Sequence, residues 1–360
     1  MHSVFSSRYR VPDIIPGFRL GFRSATGLRI SLAAALSALV IANIVRAQNE
    51  VSQPSGQSPA ALVEAMSMAV KTLNYEGTFV HVSGVRVTSM HILHSFENGT
   101  ERERLLSLDG EARELIRNDE MVTCIWPASQ SVMMTKAKPR DLLPQVQKVL
   151  TDVDRYEFSM GEPDRVAGLK THVINIDPVD TYRYGYRFWI DQETNMLLRS
   201  MMVDGSNNMM EQVLFTDIEF PDSIAANRFN AVNEGEQLSW LEPKQATARS
   251  GVPKILERAG DRVSFSKLPE GYREVSESYA PMPSSDIPVS HVMLTDGMAS
   301  VSVYVEYLQP SEQNQATVGL STMGVMNAFG ISMPTAFVTA VGEVPADTVK
   351  AIAGAVLLDE

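Results

Sequence analysis

From residue 78 to residue 220 apolar and polar positions alternate in short runs separated by turn pairs. Strands are expected over 78–82, 85–96, 101–108, 112–118, 121–126, 131–135, 155–160, 169–177 and 208–220, because period two is the mark of a half-buried strand. Ser83-Gly84, Asn98-Gly99 and Asp109-Gly110 supply the hairpin turns between them. The sharpest alternation lies in 182–204. Tyr182, Tyr184, Tyr186, Phe188 and Ile190 fall on one face, and Arg183, Arg187 and Trp189 on the other. A polar loop over 191–195 then returns the chain as a second strand. Pairing the two strands symmetrically about that loop sets Phe188 opposite Leu198, Tyr184 opposite Met202 and Arg187 opposite Arg199. Two facing arginines repel unless an acid intervenes. A carboxylate from a neighbouring strand and an arriving anionic ligand or acidic partner both remain open.

Helical spacing occurs at two places. Ser58-Pro59 reads as an N-cap with proline in the first turn. Leu62, Met66, Ala69, Val70 and Leu73 then form one apolar stripe suited to lying across a sheet. A last helix begins after Pro345, with Val349, Ile352, Ala353 and Val356 inward. The break over 136–154 holds Pro139 and Pro144 with Leu142, Leu143, Val146, Val149 and Leu150. It reads either as a lid over the sheet or as an ordinary connector.

Strand periodicity stops at 221 and returns near 262. The expected organisation is therefore an N-terminal domain over 58–235, a linker over 236–252 and a smaller C-terminal domain over 253–360. The fold class is α+β: an antiparallel meander curled into a barrel or half-barrel with covering helices, followed by a mixed α+β domain. In the second domain strands are expected over 262–266 and 273–279, with further strands near 316–328 and 335–341. Between them a hairpin, 288–295 and 298–308, turns over Asp296-Gly297.

Composition narrows the setting. With 44% hydrophobic and 21% charged residues in 360, the chain is an ordinary folded one. Arg8, Arg10, Arg19, Arg23 and Arg29 precede an apolar run over 30–45 and a Val45-Arg46-Ala47 site, the three-part pattern of an export signal peptide over 1–47. A polar tail over 48–57 follows. Removing this leader strips mainly arginines from a chain whose net charge is already −12. Such acidity disfavours nucleic acid and anionic membranes as bulk partners. Cys124 is the one cysteine, so no intrachain disulfide forms.

No nucleophile elbow, zinc-protease helix, phosphate loop or cysteine pair occurs, and no cofactor or metal is expected. His91 and His94 lie on opposite faces of a strand, and His94 reads as a core histidine. Asp177 and Asp180 flank Pro178 as turn residues. Cys124 reads as a small buried hydrophobe. In Glu101-Arg102-Glu103-Arg104 the acids share one face, solvated or paired across strands. Nine of the 19 methionines fall between Met121 and Met210. They are either gap fillers or the wall of a surface that accepts irregular apolar ligands. The groove candidates are Trp126, Met133, Leu142, Leu143, Tyr184, Phe188 and Met202, with Arg187 and Arg199 as anion or acidic-partner contacts.

Several segments together resemble the periplasmic sigma-E regulatory family, RseB/MucB. They are Leu73-Asn74-Tyr75-Glu76-Gly77-Thr78-Phe79, Leu108-Asp109-Gly110-Glu111-Ala112-Arg113-Glu114, Phe188-Trp189-Ile190-Asp191 and Leu197-Leu198-Arg199. The second domain adds Leu268-Pro269-Glu270-Gly271-Tyr272, Thr295-Asp296-Gly297 and Val341-Gly342-Glu343-Val344-Pro345. The resemblance spans about 58–358. It implies an N-terminal half-barrel similar to the periplasmic lipoprotein carriers, and a smaller mixed domain. It also implies binding to the periplasmic part of a single-pass inner-membrane anti-sigma factor, which is thereby shielded from proteolysis. Lipopolysaccharide or another lipid is the implied releasing signal. The long basic leader departs from the family pattern, and 139–150 do not follow it. A periplasmic lipid or lipoprotein carrier is the alternative reading, and an enzyme has only scattered acids and histidines behind it. Monomer and homodimer are both open.

Overall fold

The computed structural model describes residues 57–119, 121–136, 155–231, 239–241, 263–281, 288–307 and 318–358. The expected leader over 1–47, nearly all of the tail over 48–57, and Leu142 and Leu143 lie outside these residues. Chain order begins with helix α1 (Pro59–Thr72) and strands β1 (Tyr75–Ser83), β2 (Arg86–Glu97), β3 (Thr100–Ser107), β4 (Glu114–Asn118), β5 (Met121–Trp126) and β6 (Ser131–Lys136). It continues through β7 (Tyr156–Met160), β8 (Asp164–Val166), β9 (Leu169–Pro178), β10 (Gly185–Asp191), β11 (Leu197–Val203), β12 (Met209–Glu219) and β13 (Ser239–Leu241). These strands form one 13-stranded sheet. Its path runs β13-β6-β5-β4-β3-β2-β1-β12-β11-β10-β9-β7, with β8 folded back on β9. All pairings are antiparallel except that of β13, which joins β6 in parallel from within the stretch read as linker.

The second sheet has six strands: β15 (Arg273–Pro281), β16 (Pro288–Thr295), β17 (Ser300–Tyr307), β18 (Gly319–Met323), β19 (Met326–Ser332) and β20 (Ala336–Gly342). Their order is β15-β16-β17-β20-β19-β18. Helix α2 (Ala346–Ala355) packs on it, and β14 (Ser264–Phe265) pairs with β21 (Val356–Leu357). Val349, Ile352 and Ala353 are buried with Val292, Leu294, Val301 and Val303 in one core. The run expected as strand near 316–328 divides into β18 and β19, because Gly324 takes φ +62° and turns the chain between them.

Helix α1 starts where expected, its Ser58 hydroxyl accepting from Ala61 N at 3.2 Å. Leu62, Val63 and Met66 bury against Tyr186, Phe188 and Ile190. The strand β10 departs from the expected hairpin in three ways. It begins only at Gly185, so Tyr182, Arg183 and Tyr184 precede it. It is buried on both faces, since Trp189 is covered by Val166 of β8 and Val173 of β9 while α1 covers Phe188. Its register also differs. Asp191 caps the turn by accepting from Thr194 N and Oγ1, and Asn195 takes φ 61°. Pairing therefore starts with Asp191 N donating to Met196 O. A bulge at Trp189/Ile190 shifts it once more, leaving Tyr186 opposite Met202, Phe188 opposite Ser200 and Trp189 opposite Arg199. The expected facing of Arg187 and Arg199, and those of Phe188 with Leu198 and Tyr184 with Met202, are overturned by that turn and bulge.

Two other expectations are settled locally. His94 is 1% exposed, stacked on Tyr75 at 4.7 Å and bonded through Nδ1 to Leu73 O at 2.8 Å. The face carrying Glu101 and Glu103 is not solvated at Glu103, which is 1% exposed.

Candidate functional site

Residues paired across neighbouring strands share a face. Following the registers from β6 to β10 places Trp126 and Met133 on the same face of the large sheet as Met202 and Phe188. Their surroundings differ. Trp126 and Met133 are half-buried, and so is Met202, while Phe188 is sealed under α1. Cys124 is on this face beside Met133, and burial pushes its thiol up from the ordinary value. Tyr184 is not part of the face. It precedes β10, and its hydroxyl accepts from Asn327 Nδ2 of the second sheet at 3.2 Å.

Arg187 and Arg199 lie on the opposite face. Arg187 donates to Asp177 at 2.6 Å, on neighbouring β9, and to Asn207 at 2.9 Å. Arg199 stacks over the Trp189 ring at 4.0 Å and donates from Nε to Gln212 at 2.9 Å. Burial pulls its pKa below the ordinary arginine value.

The sealed end of the apolar face meets the second sheet. Met298, in the turn between β16 and β17, is 6% exposed and packs with Tyr186 and Phe188. Beside this contact a cleft of about 600 Å³ opens, walled by Phe188, Met202 and Val213 on one side and Met293, Met298 and Tyr304 on the other. Glu211 and Glu343 reach the same cleft. Burial and then Glu211 push the Glu343 carboxyl up.

The junction is held by a buried ion pair that sequence reading missed. The Arg183 and Asp296 side chains are both fully buried, with Nε to Oδ2 at 2.5 Å. Arg183 also donates to Asp180 at 2.5 Å and to the Glu270 carbonyl at 2.6 Å, and lies 4.8 Å over the Tyr272 ring. Burial opposes the guanidinium charge, but Asp296, Tyr272 and Asp180 outweigh it and raise the pKa. Asp296 accepts from the Tyr156 hydroxyl at 3.0 Å on Oδ2, and from Met298 N and Ala299 N on Oδ1. The Tyr182 carbonyl accepts from Thr348 Oγ1 at 2.8 Å and from the Tyr272 hydroxyl at 3.3 Å. Arg155 pairs with Glu270 at the rim. Every polar group of the pair thus has partners, the condition under which a buried charge is tolerated.

Arg183 lies among three tyrosines, and period two places it on the face opposite them. Asp296 looked like plain turn composition. One signal did point here. The segments 268–272, 295–297 and 341–345, on which the family resemblance rests, converge on this junction. Among the described residues no group of three or more His, Cys, Asp or Glu could hold a metal, and no helix is long and apolar enough to cross a membrane.

The described chain is thus a two-sheet protein, its sheets joined through a buried ion pair with an apolar-walled cleft beside it. The MucB/RseB N-terminal domain family matches residues 58–233 and the MucB/RseB C-terminal domain family matches 258–357. The chain belongs to the MucB/RseB family. It is 28% identical over 328 residues to the sigma-E factor regulatory protein RseB of Salmonella typhimurium, covering 88% of this chain and 95% of that one. It is 26% identical over 295 residues to the sigma factor AlgU regulatory protein MucB of Pseudomonas aeruginosa, covering 78% and 84%. The fold matches the MucA/MucB complex structure from Pseudomonas aeruginosa with a TM-score of 0.65 at 23% identity, over 84% of this chain and 99% of that one. A second structure, of MucB in complex with the periplasmic part of MucA, matches with a TM-score of 0.63 at 23% identity, over 84% and 99%.

Proposed function

We propose that this chain is exported to the periplasm and acts there, without catalysis, as a negative regulator of an envelope-stress sigma factor pathway. It binds the periplasmic part of a single-pass inner-membrane anti-sigma factor and shields it from proteolysis. Lipid, with lipopolysaccharide among the candidates, occupies the N-terminal sheet and releases the partner. The observation that carries this reading is the match of both family domains in order. The relatives are named as sigma factor regulators, and two matching structures hold a MucA chain. Residues 58–235 are assigned the sensing role, as a half-barrel whose inner face carries Trp126, Met133, Met202 and Phe188. Residues 253–360 are assigned the partner-binding role, with 236–252 between them. Lipid and partner act through linkage: each favours a different domain arrangement, so each weakens the other's binding.

A pull-down from periplasm with the full mature chain tests this. Recovery of the periplasmic region of a single-pass inner-membrane protein is expected. Recovery of lipoproteins or lipid alone would replace the regulator by a carrier. The carrier reading draws support from the half-buried Trp126 and Met133. Against it stands the second domain, which closes the Phe188 end of the same face.

A further inference from the structure

We infer that the 296–298 turn is a removable plug: Met298 occupies the seat that an acyl chain would take against Tyr186 and Phe188, and Asp296 latches it shut on Arg183. This rests on the reading above that lipid is the releasing signal.

Met298 belongs to the second sheet's β16–β17 turn, yet it buries among first-domain residues and α1. An unbranched thioether fills such a seat without the shape constraint of a branched side chain. The cleft beside it continues the apolar wall through Met202, Met293 and Met326. An acyl chain lying along Met202 would therefore run into Met298 at the closed end.

The plug is not independent of the junction. Asp296 Oδ1 holds the amides of Met298 and Ala299 at 2.9 and 2.7 Å, while Oδ2 holds Arg183 and Tyr156. One carboxylate thus fixes the turn's shape and docks it. A ligand that displaces Met298 by moving the turn that carries Asp296 strains the latch as well, so an acyl chain in the seat opposes the docked junction. A ligand needing the open state binds more weakly by the fraction of molecules that are open. Anything that unseats Met298 should raise that fraction.

The test uses the full mature chain and N-phenyl-1-naphthylamine, a neutral fluorophore whose emission rises in apolar surroundings. Met298→Ala is expected to bind it about ten-fold tighter than the parent. Met298→Leu keeps the seat filled and should stay within about two-fold, because volume-conserving swaps are tolerated. Asp296→Asn retains Met298 but weakens its anchor, and should tighten binding as Met298→Ala does. Ile352→Val, in the second sheet's own core and outside the cleft, controls for general loosening and should leave the probe affinity unchanged. Unchanged affinity in Met298→Ala, or equal tightening in Ile352→Val, overturns the plug. Partner binding by the parent chain is measured separately. A flat fluorescence comparison with partner binding intact removes the plug and leaves the regulator reading. Loss of partner binding removes the regulator reading and leaves the fluorescence comparison readable.

Discussion

Asp296→Asn is the most direct perturbation of the domain junction. It keeps the side-chain volume but removes the charge facing Arg183, whose side chain is fully buried. Removing one partner of a buried pair costs about 3–5 kcal/mol, mostly because the other charge is left behind. Asp180 still holds Arg183 Nη1, and its side chain is 24% exposed, so the low end, about 3 kcal/mol, is expected here. At about 2–4 °C per kcal/mol for a domain of this size, the melting temperature falls by about 6–12 °C. Differential scanning calorimetry of the full chain reads this directly. A double-mutant cycle with Arg183→Met separates pairing from packing. The double variant Arg183→Met/Asp296→Asn should cost less than the two single changes together, since no buried charge is left unpaired. An Asp296→Asn variant within about 0.5 kcal/mol of the parent, the ordinary range for a surface change, would refute the view that this pair holds the junction. Strict additivity in the cycle would refute it as well.

Two further outcomes follow from single sites. Arg228 donates to Glu76 through Nη1 and Nη2 at 2.5 and 2.7 Å, and this bond holds the Glu76 carboxyl below its ordinary value of 4.5. A carboxyl depressed in the folded state contributes stability above the unfolded pKa and loses it as pH falls through the folded one. Glu76→Gln should therefore destabilise at pH 7 and converge with the parent well below 4.5 in urea denaturation; because Arg228 is 48% exposed, the neutral-pH cost is only about 0.5 kcal/mol. Equal cost at both pH values would exclude the charge. At Gly77 an added Cβ would lie 2.4 Å from the Asp217 carbonyl and 3.1 Å from Ile218 Cα, both backbone atoms that cannot step aside. Gly77→Ala should cost about 1–3 kcal/mol by overpacking the β1–β12 pair, and an unchanged urea midpoint would show that the two strands can separate freely.

What was legible in the sequence was whatever local periodicity controls. Most strands of both sheets were placed within a few residues, because alternation and the Asn-Gly and Asp-Gly turns act over short distances. The α1 stripe and the Ser58 cap were equally local. The β10–β11 hairpin went wrong where the decisive contacts are not periodic. Asp191 binding Thr194 lengthened the turn by a residue, and the bulge at Trp189/Ile190 added another. Period two then misplaced Tyr184 and Arg183, which stand before the strand. Tyr184 became a junction residue bonded to Asn327, 143 positions away. Arg183 became a buried cation because Asp296, 113 positions away, meets it. No window along the chain contains both ends of such a pair. The β8 hairpin that buries Trp189 was missed for a related reason: at three residues it is too short to show a period.

The same long-range pairing separates a regulator from a carrier in physical terms. A carrier needs one apolar face that opens to cargo, and its affinity answers only to cargo. Here the face is divided. Trp126 and Met133 remain half-buried, whereas Phe188 and Tyr186 are closed by α1 and by a side chain from the other domain. Filling the closed end means moving Met298, and Met298 is bonded through its amide to the carboxylate that docks the domains. If lipid fills that end as proposed, its binding free energy is coupled to the arrangement of the two sheets, and a partner spanning both would feel it. The coupling cannot exceed the difference in either ligand's affinity for the two arrangements. On the proposed reading, an ordinary coupling of about 1–3 kcal/mol would let lipid weaken the partner by roughly 5–150-fold.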